Sequence, residues 1–486
     1  MEKTWTGPLH RIDDYRWQIP KSFRQDMRVP GLIFASEKMI AVIKADQTPV
    51  QVVNVATLPG IVRYSLAMPD IHWGYGLPIG GVCATDIEKG GVVTPGGVGS
   101  DINCGVRLIR TNLKVADVKN KMEELVSALF FTIPAGLGSK GDIRVIGKDE
   151  ERVLLEGSEW AVKQGYGVQE DLEATEEGGC LDFANPEMVS QRALERGGKQ
   201  LGTLGSGNHF IEVQEVATIY DERIAKGFAL FPGQLTIMIH SGSRGLGYQV
   251  CEDYVKVMLE AARKYNISLS DKQLCCAPVE SKEGKAYLGA MACAANYAWA
   301  NRQCLMYLTR KVFERVFGMS FKDLGMELVY DVAHNIGKFE KHKVDGVERR
   351  LFIHRKGATR AFPEAHFVLP EKLKPYGQPA IVPGDMGRAS YLLVGTEQGY
   401  EETFGTVCHG AGRIMSRTQA IKRGAGRSID QELRKKGIIV KSAGRETLAE
   451  EMPEAYKDID EVVDVLYKAG IAKKIARMKP LGVIKG

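Results

Sequence analysis

The chain has 486 residues, of which 44% are hydrophobic and 26% charged, and its formal net charge is +5 at pH 7. These proportions are those of a soluble globular protein, and the 54 glycines cluster in short patches rather than in repeats, which argues against low complexity. A charge of +5 over this length excludes a general polyanion binder, so any nucleic-acid contact must come from local basic clusters.

Residues 1–115 are predicted to be rich in strands, because short β-branched runs are separated there by glycine or proline. The runs that predict strands are MIAVIKA (39–45), VQVVNVATL (50–58), GGVCATDI (80–87) and GVRLIRTNL (105–113). From 116 to 200 the pattern becomes helical, with helices predicted over 117–129 and 149–165.

Strands and helices alternate after residue 200. Strands are predicted at LTIMIH (235–240), MELVYDVAH (326–334), AIVPGD (380–385) and SYLLVGT (390–396), and helices at 248–265, 288–317 (one or two) and 412–422. Because strands pair in short-loop clusters as well as across helices, we expect an α+β fold with mixed sheets and helices packed around a central cleft. We expect one catalytic domain over 1–486, in which 201–486 is the mixed catalytic part.

The nine cysteines are an odd number without a C-x-x-C pair, and the opening MEKTWTGPLHRIDDYRW lacks a signal-peptide pattern. A reducing, cytoplasmic location is therefore expected. The most membrane-like run, LGAMACAANYAWANRQCLMYL (288–308), is interrupted by asparagines, an arginine and a glutamine. It predicts a buried helix of small residues and no membrane partner.

Four of the nine histidines share one local setting. His240, His334 and His409 each close an apolar strand before a glycine-containing loop, and His209 follows a run of glycine turns. Strand ends beside such loops are where sheets present their chemistry. A single histidine of this kind is usually a hydrogen-bonded core residue, but four in the same context indicate a site. His72, in PDIHWGYG, fits either a ligand or a hydrogen-bond partner of one.

A carboxylate and a thiol accompany these histidines in GVGSDINCGVRL, where Asp101 lies three residues before Cys104. With His209, His240 and His334 they make a transition-metal donor set. Five ligands are too many for one tetrahedral zinc, so a two-metal cluster is the more economical interpretation. Such clusters stabilise attacking and leaving oxygens in phosphoryl transfer. The donor set alone does not distinguish whether the bound metal is zinc, manganese, iron or cobalt.

Two glycine-rich turns follow candidate histidines and precede predicted helices. SGSRGLGYQV contains Arg244, and HGAGRIMSRTQ contains Arg413, which we expect in the first turn of its helix. Free N–H groups at helix starts attract phosphates, and arginine adds bidentate contacts. Arg244 and Arg413 are therefore candidate contacts for phosphate or RNA.

His409 differs from the other three histidines, because Gly410, Ala411 and Gly412 leave its ring uncrowded. A neutral imidazole at a phosphate site can attack a nucleotide α-phosphate and form a phosphoramidate. The local alternatives are a further metal ligand or a general acid.

The segment NHFIE can serve two subsites. If 208–214 is a strand, alternation sends Asn208, Phe210 and Glu212 to one side and His209 to the other. One motif would then reach both a metal and a bound nucleotide.

Six motifs in this order resemble the RtcB family of RNA-splicing ligases, over essentially the whole chain. The motifs are GVGSDINCGVR (97–107), GTLGSGNHFIE (202–212), HSGSRGLG (240–247), DVAHN (331–335), HRKGATRAFP (354–363) and CHGAGR (408–413).

The resemblance implies an RtcB-like fold around a two-metal cleft and an RNA ligase that uses GTP and two Mn²⁺ ions. Such an enzyme joins a 2′,3′-cyclic phosphate or 3′-phosphate end, as in tRNA halves or broken RNA, to a 5′-hydroxyl end. A histidine is first guanylylated, GMP then moves to the RNA 3′-phosphate, and the 5′-hydroxyl displaces GMP. The resemblance also suggests an archease activator, and we expect a monomer.

By motif match the guanylylated residue is His409. One Mn²⁺ would be held by Cys104, His209 and His240, and the other by Asp101, Cys104 and His334. The implied guanylate pocket consists of Asn208, His209, Phe210, Ile211, Glu212, His334, Asn335, Pro383, Gly384, Asp385, Met386, Ser390, His409, Gly410, Ala411, Gly412, Tyr456 and Lys485.

Asp385 departs from the family pattern, which often has serine there. A carboxylate beside a triphosphate would repel it, whereas one that faces guanine could accept from N1–H and the 2-amino group. For the RNA phosphates, the basic segments 354–360 and 468–486 are the predicted track.

Two other classes of function fit the same residues. A two-metal phosphoesterase would use the cluster to activate water and would need neither nucleotide nor a His409 adduct. A non-catalytic RNA-end-binding metalloprotein would tolerate the loss of His409.

Overall fold

A computed structural model describes residues 4–145 and 147–486. The strands are β1 (His10–Arg11), β2 (Arg16–Ile19), β3 (Gly31–Phe34), β4 (Ile61–His72), β5 (Ile79–Asp86), β6 (Val92–Val93), β7 (Gly105–Lys114), β8 (Phe210–Ile219), β9 (Gln234–Ser241), β10 (Ala277–Pro278), β11 (Glu327–Ala333), β12 (Asn335–Val344), β13 (Val347–Lys356), β14 (Ala358–Arg360), β15 (Pro379–Pro383), β16 (Ser390–Gly395), β17 (Thr406–Cys408), β18 (Ile439–Ser442) and β19 (Ala472–Lys485).

The helices are α1 (Glu37–Ala45), α2 (Thr48–Val55), α3 (Val115–Val118), α4 (Met122–Thr132), α5 (Lys148–Glu156), α6 (Ser158–Lys163), α7 (Gln169–Glu173), α8 (Gln191–Gly197), α9 (Glu222–Gly227), α10 (Arg244–Lys264), α11 (Lys282–Phe317), α12 (Glu397–Thr403), α13 (Arg417–Gly424), α14 (Ile429–Arg434), α15 (Arg445–Glu450) and α16 (Ile459–Lys468). The predicted α+β fold is confirmed.

The larger sheet has eight strands in the order β11-β7-β9-β8-β19-β16-β15, with β18 parallel to β19 beside them. Gly105 on β7 lies opposite Ser241 on β9 and Ala333 on β11, and Phe210 on β8 lies opposite His240. Because these neighbours are antiparallel, the first residues of β7 and β8 meet the last residues of β9 and β11 at one edge of the sheet.

Both faces of the larger sheet are covered, as strand alternation requires. Ile237 and Ile239 of β9 pack in one cluster with Leu305 and Met306 of α11. Met238, between them, belongs to the cluster on the opposite face. The sheet edge that carries the ligands is therefore held between two packed layers.

The helix predicted over 288–317 is the single 36-residue helix α11, and its small-residue run lies in the core as expected. Within the part of the chain that the structure describes, no helix has the length and apolar character needed to cross a membrane.

A second sheet has seven strands in the order β1-β2-β3-β4-β5-β13-β12. The hairpin β12–β13 completes a sheet whose other strands come from residues 10–86. Strand β4 carries Asp70, and strand β17 leads directly to His409. The segments 1–115 and 201–486 thus share a sheet, while the expectation of one catalytic domain stays a prediction.

Two of the predicted strands are wrong, because residues 39–45 and most of 50–58 are helical. Met39, Ile40 and Ile43 bury one side of α1. Pro49 lies in the first turn of α2, where its fixed φ favours a helix start. Short apolar runs fit a strand and a buried helix equally well, so β-branched composition alone misled the assignment.

The helix predicted over 412–422 begins only at Arg417. Ser416 caps it by accepting a hydrogen bond from the Gln419 amide at 3.2 Å, and the Gln419 side chain accepts from the Ser416 amide. Arg413 therefore lies in the preceding loop, and its predicted position in the first helical turn is wrong.

Candidate metal and nucleotide site

Four of the five predicted metal ligands lie at the same edge of four neighbouring strands. Cys104 and His209 immediately precede β7 and β8, His240 lies on β9, and His334 follows β11. Asp101 joins them from the glycine-rich turn, where its carbonyl accepts from the Cys104 amide at 2.9 Å. Sheet topology thus brings together ligands that are far apart in sequence.

The ligand atoms form a continuous series of contacts. The Sγ atom of Cys104 lies 3.3 Å from Nε2 of His209 and 3.2 Å from Nε2 of His240. Nε2 of His240 lies 3.3 Å from Nε2 of His334, and Nε2 of His209 lies 2.7 Å from Oδ2 of Asp101. Two groups of three ligand atoms, each within 4.8 Å of one another, could hold metal ions, and Cys104 belongs to both groups.

The grouping by distance differs from the one that the resemblance implies. Asp101 groups with Cys104 and His209, whereas His334 groups with Cys104 and His240. The sharing of Cys104 is common to both schemes. The assignment of the other ligands to individual ions stays a prediction.

The charge states of the ligands fit a cation. Burial lowers the pKa of His240 and of His334 well below the usual range, so both rings offer neutral lone pairs. Burial tends to raise the pKa of Asp101, but the adjacent His209 outweighs it and holds the pKa at about 2. Burial raises the pKa of the Cys104 thiol, so a cation must displace its proton to bind sulfur.

The backbone around the cluster also fits a metal centre. Nδ1 of His209 donates to the Leu204 carbonyl at 3.0 Å, which directs Nε2 towards the other ligands. A Cβ atom at Gly242 would lie 2.3 Å from Oδ1 of Asp101, and one at Gly205 would lie 2.5 Å from Nδ1 of His209. Only glycine at these two positions leaves room for the ligands.

His409 is held by a buried carboxylate. Its Nδ1 donates to Oδ2 of Asp70 at 2.5 Å, and its backbone N–H donates to the same oxygen at 3.0 Å. The Asp70 side chain is fully buried, whereas that of His409 is 14% exposed. The ring centroid of His409 lies 4.9 Å from that of His334, so the histidine adjoins the metal ligands.

The segment around Asp70 is fixed by its neighbours. Nζ of Lys457 donates to the carbonyls of Pro69 and Ile71, at 3.0 and 2.5 Å. Nδ1 of His72 donates to the Asp70 carbonyl at 2.8 Å, so His72 is a hydrogen-bond partner here. Sequence reasoning missed Asp70 and Lys457. The available signal was a pair of polar residues, Asp70 and His72, at the end of β4 after the apolar run LAMP (66–69).

A cleft of about 910 Å³ opens beside the cluster and His409. The predicted nucleotide-site residues that line it are Asn208, Phe210, Glu212, His334, Asn335, Pro383, Gly384, Asp385, Met386, Ser390, His409, Gly410, Ala411, Gly412, Tyr456 and Lys485. The side chain of Ile211 lies instead in the core on the other face of β8, so it does not reach the cleft. Arg413 also lines the cleft.

Arg244, predicted in the turn before a helix over 248–265, is instead the first residue of α10, and it lies behind the cluster. Its Nε donates to Oγ1 of Thr203 at 3.2 Å, and its guanidinium packs so closely on Gly205 that a Cβ there would lie 2.3 Å away. Its charge also lowers the pKa of Asp101. The structure thus places Arg244 against the candidate ligand Asp101.

A charged network lies at the inner end of the cleft. Arg413 donates to Glu451 at 3.0 Å and to the Tyr456 hydroxyl at 3.1 Å, and Lys485 lies 3.5 Å from Glu451. Burial raises the pKa of Glu212 to about 8, although Lys485 opposes the rise. The cleft therefore combines cations suited to phosphate with the buried carboxyl groups of Glu212 and Glu451.

The carboxylate of Asp385 is turned into its own loop. Its side chain is fully buried, with Oδ1 accepting from the Gly387 amide at 2.9 Å and Oδ2 3.2 Å from Nε of Arg388. Glu212 is therefore the carboxyl group better placed to face a base in the cleft.

The basic track predicted at 354–360 is wrong. His354 and Arg355 are fully buried, and Arg360 is 5% exposed. Arg355 lies 2.5 Å from Glu340, and Arg360 lies 2.7 Å from Glu177. These cations are neutralised inside the protein and cannot follow an RNA backbone.

The basic tail does not form a free track either. Most of 468–486 is the strand β19, which lies between β8 and β16 in the larger sheet. Arg477 is paired with Asp460 at 3.2 Å.

The fold and the site together define an α+β protein with a candidate metal-binding cluster in its core. Residues 51–486 match the model of the family described as tRNA-splicing ligase RtcB. The chain is 53% identical over 480 residues to the tRNA-splicing ligase RtcB of Archaeoglobus fulgidus, covering 99% of both chains. It is also 53% identical to that of Thermococcus kodakarensis, again over 99% of both chains. With that of Methanococcus maripaludis it shares 52% identity, over 98% of this chain and 99% of the relative. The chain belongs to the RtcB family.

Proposed function

We propose that the protein is an RNA ligase that joins 2′,3′-cyclic phosphate or 3′-phosphate ends to 5′-hydroxyl ends, with GTP as the activating substrate. The observation that carries the proposal is His409, held by Asp70 at a cleft that adjoins the cluster of candidate metal ligands. The relatives named tRNA-splicing ligase support tRNA, and so tRNA halves, as substrate. Broken RNA is included in the proposal on the resemblance alone.

The candidate cluster of Asp101, Cys104, His209, His240 and His334 would hold two divalent cations, which we propose to be Mn²⁺. Bound there, the ions would neutralise phosphate charge and make the phosphorus more electrophilic. The resemblance, rather than the ligand chemistry, supports manganese over zinc or cobalt, since a thiolate suits softer metals as well.

Asp70 prepares His409 for attack. Because Nδ1–H donates to the carboxylate, Nε2 is the ring nitrogen with a free lone pair. Nε2 attacks the α-phosphate of GTP, a nitrogen–phosphorus bond forms, and the bond to the β-phosphate breaks with its electron pair leaving on pyrophosphate. Asp70 stabilises the positive charge that develops on the ring.

Hydrolysis of the cyclic phosphate and two further displacements complete ligation. Water first opens a cyclic phosphate to a 3′-phosphate. An oxygen of that 3′-phosphate attacks the GMP phosphorus, and the bond to Nε2 breaks, which returns His409 to its neutral form. The 5′-hydroxyl of the second RNA then attacks the RNA phosphate, loses its proton and expels GMP.

The guanine base is proposed to lie against Glu212. A carboxylate accepts from both N1–H and the 2-amino group of guanine, and adenine offers no such pair of donors. Lys485 and Arg413 line the same cleft, and their positive charges suit the phosphate groups of GTP. An archease activator and a monomeric state stay predictions.

Ligation of two short RNAs tests the proposal. One RNA carries a 2′,3′-cyclic phosphate, the other a 5′-hydroxyl, and Mn²⁺ and GTP are added or omitted. Joined RNA that requires GTP and retains the terminal phosphate in the new bond is the expected result. Release of inorganic phosphate without GTP would identify a phosphoesterase, and RNA binding without any reaction would identify a non-catalytic end binder.

A further inference from the structure

Arg302 connects the chain segments that carry three of the candidate metal ligands. It lies on α11, and its side chain is fully buried. We infer that Arg302 is a positioning residue that sets the spacing of the two-metal cluster through hydrogen bonds to the backbone beside the ligands. This inference rests on the proposed metal centre.

All five N–H donors of the Arg302 guanidinium have partners. Nε and Nη2 donate to the two carboxylate oxygens of Asp331, each at 2.8 Å. Nη1 donates to the carbonyls of Asn103 and Ser241, at 2.7 and 3.0 Å, and Nη2 also donates to Oδ1 of Asn103 at 3.0 Å. An arginine has five donors, so this set satisfies every one of them.

The partners of Arg302 are neighbours of the ligands. Asn103 precedes Cys104, and Ser241 follows His240. Asp331 lies on β11, which ends immediately before His334. A single planar group therefore fixes the relative positions of three strands at the edge where their ligands converge.

The backbone is shaped to admit this guanidinium. A Cβ atom at Gly105, directly after Cys104, would lie 2.9 Å from Cζ of Arg302. On the same helix, Asn301 donates to the Gly242 carbonyl and to Oγ of Ser241, each at 3.2 Å. The region of α11 around residue 301 thus supports the loops on both sides of the cluster.

The ion pair alone does not account for Arg302. Asp331 already pairs with the buried Arg107 at 2.8 Å, and Asp171 pairs with the buried Arg310 at 2.7 Å. Three buried guanidinium groups thus face two buried carboxylates, which leaves one positive charge in excess. Burying an excess charge is costly in a protein interior, and the hydrogen bonds of Arg302 to Asn103 and Ser241 offset part of that cost.

Arg302→Lys tests the inference, with Arg310→Lys as the matched control. Both arginines lie on α11, both are buried, and both pair with the two oxygens of an aspartate. Lysine keeps the charge, but its single nitrogen cannot reach the carboxylate and both carbonyls together. Full-length protein stripped of metal is titrated with Mn²⁺ by calorimetry, and with Co²⁺ by the absorption of its thiolate bond.

For Arg302→Lys we expect Mn²⁺ affinity to fall about 10- to 100-fold and the Co²⁺–thiolate band to shift or weaken. Raising Mn²⁺ should restore the rate of labelled-GMP transfer to the protein. Arg310→Lys should bind Mn²⁺ within about twofold of the parent, because its contacts lie away from the ligands. Parental Mn²⁺ affinity in Arg302→Lys, or an equal loss in Arg310→Lys, would overturn the inference. A parent that binds no metal would instead remove the proposed metal centre itself.

Asn103→Gly decides the question if Arg302→Lys does not fold. Asn103 has a φ of 51°, which glycine adopts without strain. The substitution removes the side-chain bond to Arg302 and the one to the Ala295 carbonyl at 2.7 Å. We expect a several-fold loss of Mn²⁺ affinity in this variant, and parental affinity would overturn the inference.

Discussion

Nδ1 of His409 lies 2.5 Å from Oδ2 of Asp70, a residue 339 positions earlier in the chain. The carboxylate is fully buried, and it also accepts from the backbone amide of His409. The ring can therefore neither rotate freely nor exchange its tautomer without losing this bond. The pairing leaves Nε2 as the ring nitrogen with a free lone pair beside the cleft.

Asp70→Asn should slow the transfer of GMP to the protein by about 10²- to 10⁴-fold. The amide keeps the shape of the side chain but loses the charge that fixes the tautomer and stabilises the developing imidazolium. GTP binding should stay within about threefold of the parent, since Asp70 is buried beneath the histidine. Single-turnover transfer and equilibrium GTP binding measure the two effects separately. If Asp70→Asn transferred GMP to the protein at the rate of the parent, the Asp70 carboxylate would have no part in the mechanism.

Cys104→Ala should disturb both metal positions, whereas Asp101→Ala should affect chiefly one. Cys104 belongs to both groups of ligand atoms, and Asp101 belongs to one. Metal content after equilibration with Mn²⁺ should fall from two ions towards none in the first variant and towards one in the second. Cys180→Ala, at a cysteine outside the cluster, is the control. Equal loss in the Cys104 and Asp101 variants would contradict a bridging thiolate.

Glu212→Gln should reduce the preference for GTP over ATP by about tenfold, because an amide presents only one acceptor to the two guanine donors. Asp385→Ala is the matched comparison, and we expect it to keep the preference, since its carboxylate faces Arg388 and the Gly387 amide. If Asp385→Ala lost the preference for GTP and Glu212→Gln kept it, Asp385 would be the residue that recognises guanine. Competition binding with the two nucleotides measures the preference.

Because the pKa of Glu212 is raised, we predict that GTP binding depends on pH. Burial raises the pKa of Glu212 to about 8, so the accepting, ionised form is the minor one at neutral pH. Apparent affinity should therefore rise about tenfold for each pH unit below 8 and level off above it. Glu212→Gln removes the titrating group and should flatten this part of the profile. If the GTP affinity of Glu212→Gln rose with pH as steeply as that of the parent, a group other than Glu212 would be titrating.

Arg360→Met should destabilise the protein without changing how RNA binding depends on salt. Arg360 is buried among Glu176, Glu177 and Glu340, and its loss leaves only Lys338 and Arg355 to neutralise these three carboxylates, at a cost of about 3–5 kcal/mol. Arg417 lines the cleft with its side chain 63% exposed, so Arg417→Ala should lower the salt slope of RNA binding by about one. Thermal melts and binding at several salt concentrations separate the two effects.

The candidate ligand set could be proposed from the sequence because each of its histidines stands at a strand end near glycine. The contacts through which these residues meet were not predictable, since they depend on the strand order β11-β7-β9-β8, which local patterns do not encode. Asp70 and Arg302 were missed for the same reason, because each acts on a residue far away in the chain. The buried charges at 354–360 were misread because composition cannot show which carboxylates lie opposite.

The helix errors have a different origin. Residues 39–45 form a helix because their apolar side chains share one helical face, although the run also satisfies a strand pattern. Helix α13 starts only at Arg417 because Ser416 and Gln419 form a capping box there. The same two residues can be found in the sequence, but the glycine-rich turn before them favours an earlier helix start.

Transfer of labelled GMP to the protein tests the central claim most directly. Protein is incubated with Mn²⁺ and GTP labelled at the α-phosphate, and the acid-labile adduct is measured for the parent, His409→Ala and His10→Ala. His10 is an exposed residue of β1, whereas His354 is buried and accepts from the Thr94 amide, so its loss would disturb folding. We predict equal adduct in the parent and His10→Ala and none in His409→Ala. No adduct in the parent with any divalent metal, or an undiminished adduct in His409→Ala, would contradict the account.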